Sequence, residues 1–255
     1  MQHKPTFLHQ NKPLITCMVQ AETPAVMHRL IRDAAFDGCD AYGFQMERLG
    51  KEYRTEETVR ELFAAMGRKP IYATNYRIAL NHGMSDEELA ESDVWLCSMG
   101  ATLIDFPADL FSPAPYEMTY DAQAVERQKR LAEQIHALGG EVLISSHTHK
   151  FMSAEEVLAM AREHQARGAD ISKIVAAANS EEEELENLRI TSLLNKELDI
   201  PFLFLSSGSH NKLHRTVGPM LGACMWLTVQ KHDELATGVQ PTCRAIRAIA
   251  DHFDY

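Results

Sequence analysis

Basic residues are scarce in this 255-residue chain: 25 Lys and Arg stand against 36 Asp and Glu, a formal charge of −11. No block of lysine or arginine interrupts that excess. Binding to nucleic acid or to an anionic membrane runs on clustered cations that neutralise phosphates, so polyanionic partners are excluded, whereas a local basic pocket for a small anion is not. Long apolar runs are also missing. Stretches such as Pro201 to Leu205 fall far short of the roughly 20 residues that a membrane helix needs, and the polar segment Met1 to Pro13 has no signal-peptide core. The chain reads as cytoplasmic. Cysteine is sparse: Cys17, Cys39, Cys97, Cys224 and Cys243 are odd in number, widely spaced and without a C-x-x-C pair. They read as reduced interior thiols, not as a disulfide framework. No Pro/Gly/Ser-rich linker divides the chain.

What is present is alternation. The composition, 45% hydrophobic and 24% charged, supplies a full globular core. Short runs rich in Val, Ile, Leu and Phe alternate with longer segments of helical period, the signature of repeated βα units and a parallel sheet. The strand candidates are Leu14 to Val19, Asp40 to Met46, Pro70 to Tyr76, Thr102 to Phe106, Glu141 to Ser146, Ile171 to Ala176, Pro201 to Ser206 and Cys224 to Val229. Helix signals follow them. Thr23-Pro24 offers a cap and a first-turn proline before the stripe Val26, Met27, Leu30, Ile31, Ala34. Ser153-x-x-Glu156 is a capping-box pattern, and Gly168 stops the helix it opens. Glu181 to Glu184 read as a solvated first turn at the positive end of a helix dipole. Eight such units predict an α/β fold, a single (β/α)8 TIM barrel over residues 1–255 with 1–13 as an N-terminal extension; a doubly wound open sheet is the alternative. In either fold, functional residues lie at the carboxyl ends of the strands.

That rule selects three places. Lys173 lies in Asp170-Ile-Ser-Lys-Ile-Val-Ala-Ala, otherwise small or apolar, and a lysine is almost never buried unless paired or functional. Turned into the barrel beside Ile171 and Val175, its amine would be poised to attack a carbonyl and form a Schiff base. The ordinary alternative is a lysine reaching a carboxylate such as Asp170 or solvent. His147, in Ser145-Ser146-His147-Thr148-His149, ends the neighbouring strand, where a histidine can move protons beside an iminium carbon; alternatively it is a hydrogen-bonded strand end. Arg215 follows the seventh strand in a polar, glycine-containing segment, where barrels bind phosphate or carboxylate; alone, it would read as a surface arginine.

Taken together, His147, Asp170-Ile-Ser-Lys173-Ile leading to Asn179-Ser180, and Ser206 followed by Arg215-x-x-Gly218-x-x-x-Gly222 resemble the successive motifs of type I 3-dehydroquinate dehydratases, in the same order from about Leu14 to Ala250. Thr-Gly-Val-Gln240 resembles that family's substrate-covering loop. The resemblance implies a (β/α)8 barrel, usually a homodimer, that converts 3-dehydroquinate to 3-dehydroshikimate without metal or organic cofactor. It further implies that Lys173 forms the imine and His147 removes the α-proton and protonates the departing hydroxyl. Arg215 would hold the carboxylate of a small keto acid, with Gln240 closing over it and Ser206, Gln45 and Arg77 as further substrate contacts.

The chain departs from the family at several positions. Where the family carries Glu-x-Arg on the second strand, this chain has Gly43-Phe44-Gln45. A carboxylate near the catalytic histidine usually ends the fourth strand; here Asp105-Phe106-Pro107 puts Pro107 in its place. The third strand's Thr-x-Arg and following Glu-Gly-Gly are replaced by Thr74-Asn75-Tyr76-Arg77, in which Arg77 supplies the charge if the strand bulges by one residue. Glu47, Tyr76, His149 and His210 are candidates for the missing contacts. Two other readings remain at this level. One is a metal-dependent barrel using His147, His149, His210 and Asp105, since His-x-His on a strand points both rings to one face. The other is a dehydratase-like barrel that only binds a ligand or partner, without turnover.

Overall fold

Buried on both faces, each of the eight apolar runs forms one strand of a parallel sheet. The computed structural model describes residues 5–253. Strands β1 (Leu14–Val19), β2 (Ala41–Gln45), β3 (Ile71–Thr74), β4 (Leu103–Pro107), β5 (Glu141–His147), β6 (Ile171–Ala177), β7 (Phe202–Ser207) and β8 (Met225–Val229) alternate with helices α1 (Pro24–Phe36), α2 (Glu56–Met66), α3 (Asp86–Met99), α4 (Ala122–Ala137), α5 (Ala154–Ala166), α6 (Glu181–Glu197), α7 (Lys212–Val217) and α8 (Cys243–Ala250). The order in the sheet is β7-β6-β5-β4-β3-β2-β1-β8. Cys224 N–H donates to the Phe202 carbonyl at 2.9 Å and brings β8 back to β7, so the chain is a (β/α)8 barrel and not an open sheet.

The period-2 alternation of each strand sorts its side chains into two layers. Leu14, Met18, Ala41, Tyr72, Leu103, Leu143, Ile171, Val175, Leu203, Leu205, Met225 and Leu227 fill the barrel interior. Tyr42, Phe44, Ile104, Phe106, Val142, Ile144, Ile174, Phe202 and Phe204 face the helices. Part of the N-terminal extension joins the inner layer: Phe7 packs there, its N–H held by Glu141 Oε2 at 2.9 Å. The capping signals hold at α5, where Ser153 and Glu156 form a full capping box. Thr23 makes no side-chain cap, although Pro24 opens α1. The acidic start of α6 is not simply solvated. Glu184 is buried and accepts the N–H groups of Leu213 and His214 at 3.0 and 3.2 Å, so a carboxylate of α6 holds the first turn of α7. Among the described residues no helix is long and apolar enough to cross a membrane.

Candidate active site

Lys173 stands on β6 between Ile171 and Val175, all three turned inward, and its register partners are Ser145 and Leu203. The side chain is only 4% exposed. Its Nζ donates to Tyr76 Oη at 2.6 Å, Tyr72 Oη at 3.0 Å and Asp105 Oδ2 at 3.0 Å. Both phenols in turn donate to Asp105 Oδ2, so one carboxylate oxygen collects three donors. Asp170 is not the partner; it faces the other way, toward His136 and the Val142 N–H. Burial alone would push the Asp105 carboxyl up, but the Lys173 ammonium and the hydrogen bonds hold it below the usual carboxylate range. Burial and the Asp105 charge push both tyrosines well above theirs, so they stay neutral donors.

Beside this cluster lies His147, its ring edge-on to Tyr76 with centroids 5.5 Å apart. Its Nδ1 is 2.6 Å from Glu117 Oε2, and its backbone N–H donates to the same oxygen at 3.1 Å. A carboxylate on Nδ1 places the proton there and leaves Nε2 with its lone pair. Burial raises Glu117, but the His147 hydrogen bond and charge, with a contribution from Lys173, bring it below its ordinary value.

Glu117 comes from the connection between β4 and α4, a segment in which Phe111, Tyr116 and Glu117 adopt positive φ of 74°, 64° and 49°. Side chains pay for this conformation of order 1 kcal/mol or more each, and it persists only where the surroundings fix it. Here they do. Arg167, fully buried, donates to the carbonyls of Ala108 at 2.8 Å and Thr119 at 2.6 Å. Gln128 holds the carbonyls of Ala108 and Leu110 at 3.1 and 2.8 Å, and Ser146 Oγ donates to Glu117 O at 3.0 Å. The carboxylate absent at Pro107 is thus supplied from ten residues further along the chain.

The remaining anticipated contacts divide. Arg215 is buried, donates through Nε to Ser206 O at 2.6 Å, and makes no ion pair among the described residues. Burial lowers its pKa to about 10, so the cation is kept desolvated without a countercharge. Ser206 itself contributes that carbonyl and not its hydroxyl: its side chain points to the helix layer, where Oγ accepts from Asn187 Nδ2 at 2.9 Å. Arg77 is likewise committed elsewhere. Its guanidinium pairs with Asp86 at 2.6 Å and Asp109 at 2.6 Å, and Tyr76, one residue earlier, reaches Lys173 instead. Gln45 and Gln240 each keep a buried side-chain oxygen without a partner among the described residues. Glu47 accepts Thr74 Oγ1 at 3.0 Å and is fully buried.

Burial raises Glu47 to a pKa of about 7. Its folded-state value therefore exceeds the unfolded one near 4.5, so its stabilising contribution is complete below pH 4.5 and lost as pH rises through 7. The difference is about 3 kcal/mol. Glu47→Gln is expected to match the parent protein near pH 4.5 and to exceed it by up to about 3 kcal/mol at pH 8; urea unfolding at both pH values checks this.

The metal reading gathers no site. His149 and His210 are exposed, Nδ1 of His147 is taken by Glu117 and Asp105 by Lys173. His214 is buried and hydrogen-bonded to Thr191 at 2.8 Å. Among the described residues no three His, Cys, Asp or Glu side chains could share an ion.

A parallel barrel thus brings together a buried lysine on β6, a carboxylate-oriented histidine on β5 and, after β7, a buried arginine without an ion pair among the described residues, side chains of the kinds that imine chemistry on a carbonyl uses. The family model for type I 3-dehydroquinase matches residues 15–253, and the chain belongs to that family. A 3-dehydroquinate dehydratase of Bacillus licheniformis is 31% identical over 102 residues, 39% of this chain and 40% of that protein. One from Geobacillus thermodenitrificans is 29% identical over 115 residues, 45% of this chain and 43% of that protein. The matched segments thus span about two fifths of these relatives' length. In three dimensions the chain superimposes on 3-dehydroquinate dehydratase from Geobacillus kaustophilus with TM-score 0.79 and 19% identity, covering 96% of this chain and 93% of that one. For the type I enzyme of Clostridium difficile the TM-score is 0.81 at 16% identity, covering 98% of each chain.

Proposed function

We propose that this protein is a lyase that dehydrates 3-dehydroquinate, or a related β-hydroxy ketone bearing a carboxylate, through an imine on Lys173. The observation that carries the reading is the buried Lys173 amine, held by Asp105 and two phenols beside a histidine whose Nδ1 is occupied by Glu117.

The ammonium first lends a proton to His147 Nε2, because Asp105 is held too acidic to take it, and that proton leaves later with the carbinolamine hydroxyl. The amine adds to the ketone, and loss of water leaves a protonated imine. That cation withdraws electrons from the adjacent C–H bond, and His147 takes the proton through Nε2, leaving an enamine. The electron pair then expels the β-hydroxyl, which departs as water with the proton returned by His147. Hydrolysis of the conjugated imine frees the enone and restores Lys173. Glu117 stabilises the imidazolium formed in between. Tyr72 and Tyr76, neutral throughout, hold Asp105 and the nitrogen in place.

Arg215 meets the substrate carboxylate, with Gln240 next to it. A charge-assisted hydrogen bond contributes about 1.5–3 kcal/mol, so Arg215→Ala is expected to raise KM by about 10- to 100-fold with a smaller change in kcat, checked by steady-state kinetics. The working form under this reading is a cytoplasmic homodimer, tested by light scattering in solution. The reaction itself is tested by the ultraviolet absorbance of the conjugated enone formed from 3-dehydroquinate. Lysine trapping without enone formation would indicate a ligand-binding barrel in place of an enzyme.

A further inference from the structure

Opposite the catalytic side of the barrel, strands β1 and β2 present inward only Leu14, Thr16, Met18 and then Gln20 beyond the strand, with Ala41, Gly43 and Gln45 alongside. None of these carries a charge; Glu47, two residues after Gln45, is fully buried with both carboxyl oxygens engaged by Thr74 Oγ1. Met18 is paired in register with Gly43, and Gly43 with Tyr72, whose hydroxyl touches Lys173 Nζ. This wall therefore stands one strand away from the reacting nitrogen. Its shape is fixed by one cross-strand contact: a Cβ built on Gly43 would lie 2.1 Å from Met18 Sδ and 2.6 Å from its Cε. The thioether fills the room that a side chain at position 43 would use. Above it, Gln20 is 5% exposed, and both its amide atoms lack a partner among the described residues; the Gln45 amide oxygen lacks one too.

We propose, building on the imine reading above, that the substrate is a monocarboxylate β-hydroxy ketone whose flank against β1 and β2 is hydrocarbon, less hydroxylated than 3-dehydroquinate. A hydroxyl pressed on Met18 meets no strong donor or acceptor, and burying it unpaired is costly. The glutamines supply neutral hydrogen bonds, which are roughly half as strong as charge-assisted ones and can be met by water or one neutral group. The charge-bearing end of the site is the opposite one, at Arg215. The ring that fits has its carboxylate at Arg215, its ketone at Lys173 and methylenes over Met18.

The probe pair is 3-dehydroquinate and its analogue without the vicinal diol, 1-hydroxy-3-oxocyclohexane-1-carboxylate, whose dehydration also gives an absorbing enone. The expected result is a kcat/KM for the dideoxy compound at least equal to that for 3-dehydroquinate, with Met18→Ala shifting the ratio about tenfold toward 3-dehydroquinate. A parent protein that prefers 3-dehydroquinate overturns the proposal, as does a ratio unmoved in folded Met18→Ala. Failure of the imine reading looks different: borohydride then traps neither ketone on Lys173, and the specificity proposal falls with it.

Discussion

Lys173→Met is expected to remove dehydration below detection, a loss of about 10⁵-fold or more, as for removal of a covalent nucleophile elsewhere. The thioether matches the lysine stem in length but cannot form an imine, and among the described residues no second amine is hydrogen-bonded to Asp105. The substitution also separates a buried ion pair of 3.0 Å. Leaving a carboxylate unpaired typically costs about 3–5 kcal/mol, although Tyr72 and Tyr76 still donate to it. Lys173→Met combined with Asp105→Asn removes the stranded charge and should recover much of the stability while remaining inactive. Enone absorbance and thermal unfolding of both variants separate lost chemistry from lost fold. Activity retained in folded Lys173→Met would contradict the assignment.

Glu117→Gln tests a residue that no strand pattern identifies. The carboxylate holds Nδ1–H of His147 and thereby keeps Nε2 free; an amide can present its own N–H to Nδ1 and reverse the tautomer. In a histidine–carboxylate pair of another enzyme, that exchange lowers kcat about 10⁴-fold. Here a fall of about 10²- to 10⁴-fold in kcat is expected, with KM changed less than about threefold because Glu117 does not touch the carboxylate end of the site. The His147 contact keeps Glu117 below its ordinary pKa. The stabilisation from that pair is therefore present above the usual glutamate range and lost only as pH falls through the lowered value, so the pair is intact at neutral pH. A kcat unchanged in Glu117→Gln would reduce Glu117 to an anchor of its loop.

The barrel was legible because its strands are buried on both faces and read as apolar runs; β1 matches its expected bounds at both ends, and the others differ by one or two residues. Lys173 and His147 were legible because polar residues at the carboxyl ends of such strands have few structural uses. Tyr72 carries a readable signal, since it alternates inward with Thr74 on β3, but an aromatic in a strand is equally a core residue. Ser206 and Arg77 were misplaced for local reasons. Alternation along β7 turns Leu203 and Leu205 inward and Ser206 outward, while β3 ends at Thr74 and the chain beyond it sends Tyr76 to Lys173 and Arg77 to Asp86 and Asp109. Glu117 depends on left-handed backbone held by Arg167, Gln128 and Ser146, contacts from elements far apart in sequence. The length of the β4–α4 connection is the one local hint, because long loops in compact domains are usually functional.

Borohydride reduction in the presence of 3-dehydroquinate or its dideoxy analogue, followed by mass spectrometry of the peptides, tests the central claim most directly. A single modified peptide is expected, containing Lys173 and heavier by the substrate ketone or its dehydrated product, less one oxygen atom, that disappears in Lys173→Met. Enone formation by a protein that gives no adduct, or an adduct confined to another lysine, would contradict it.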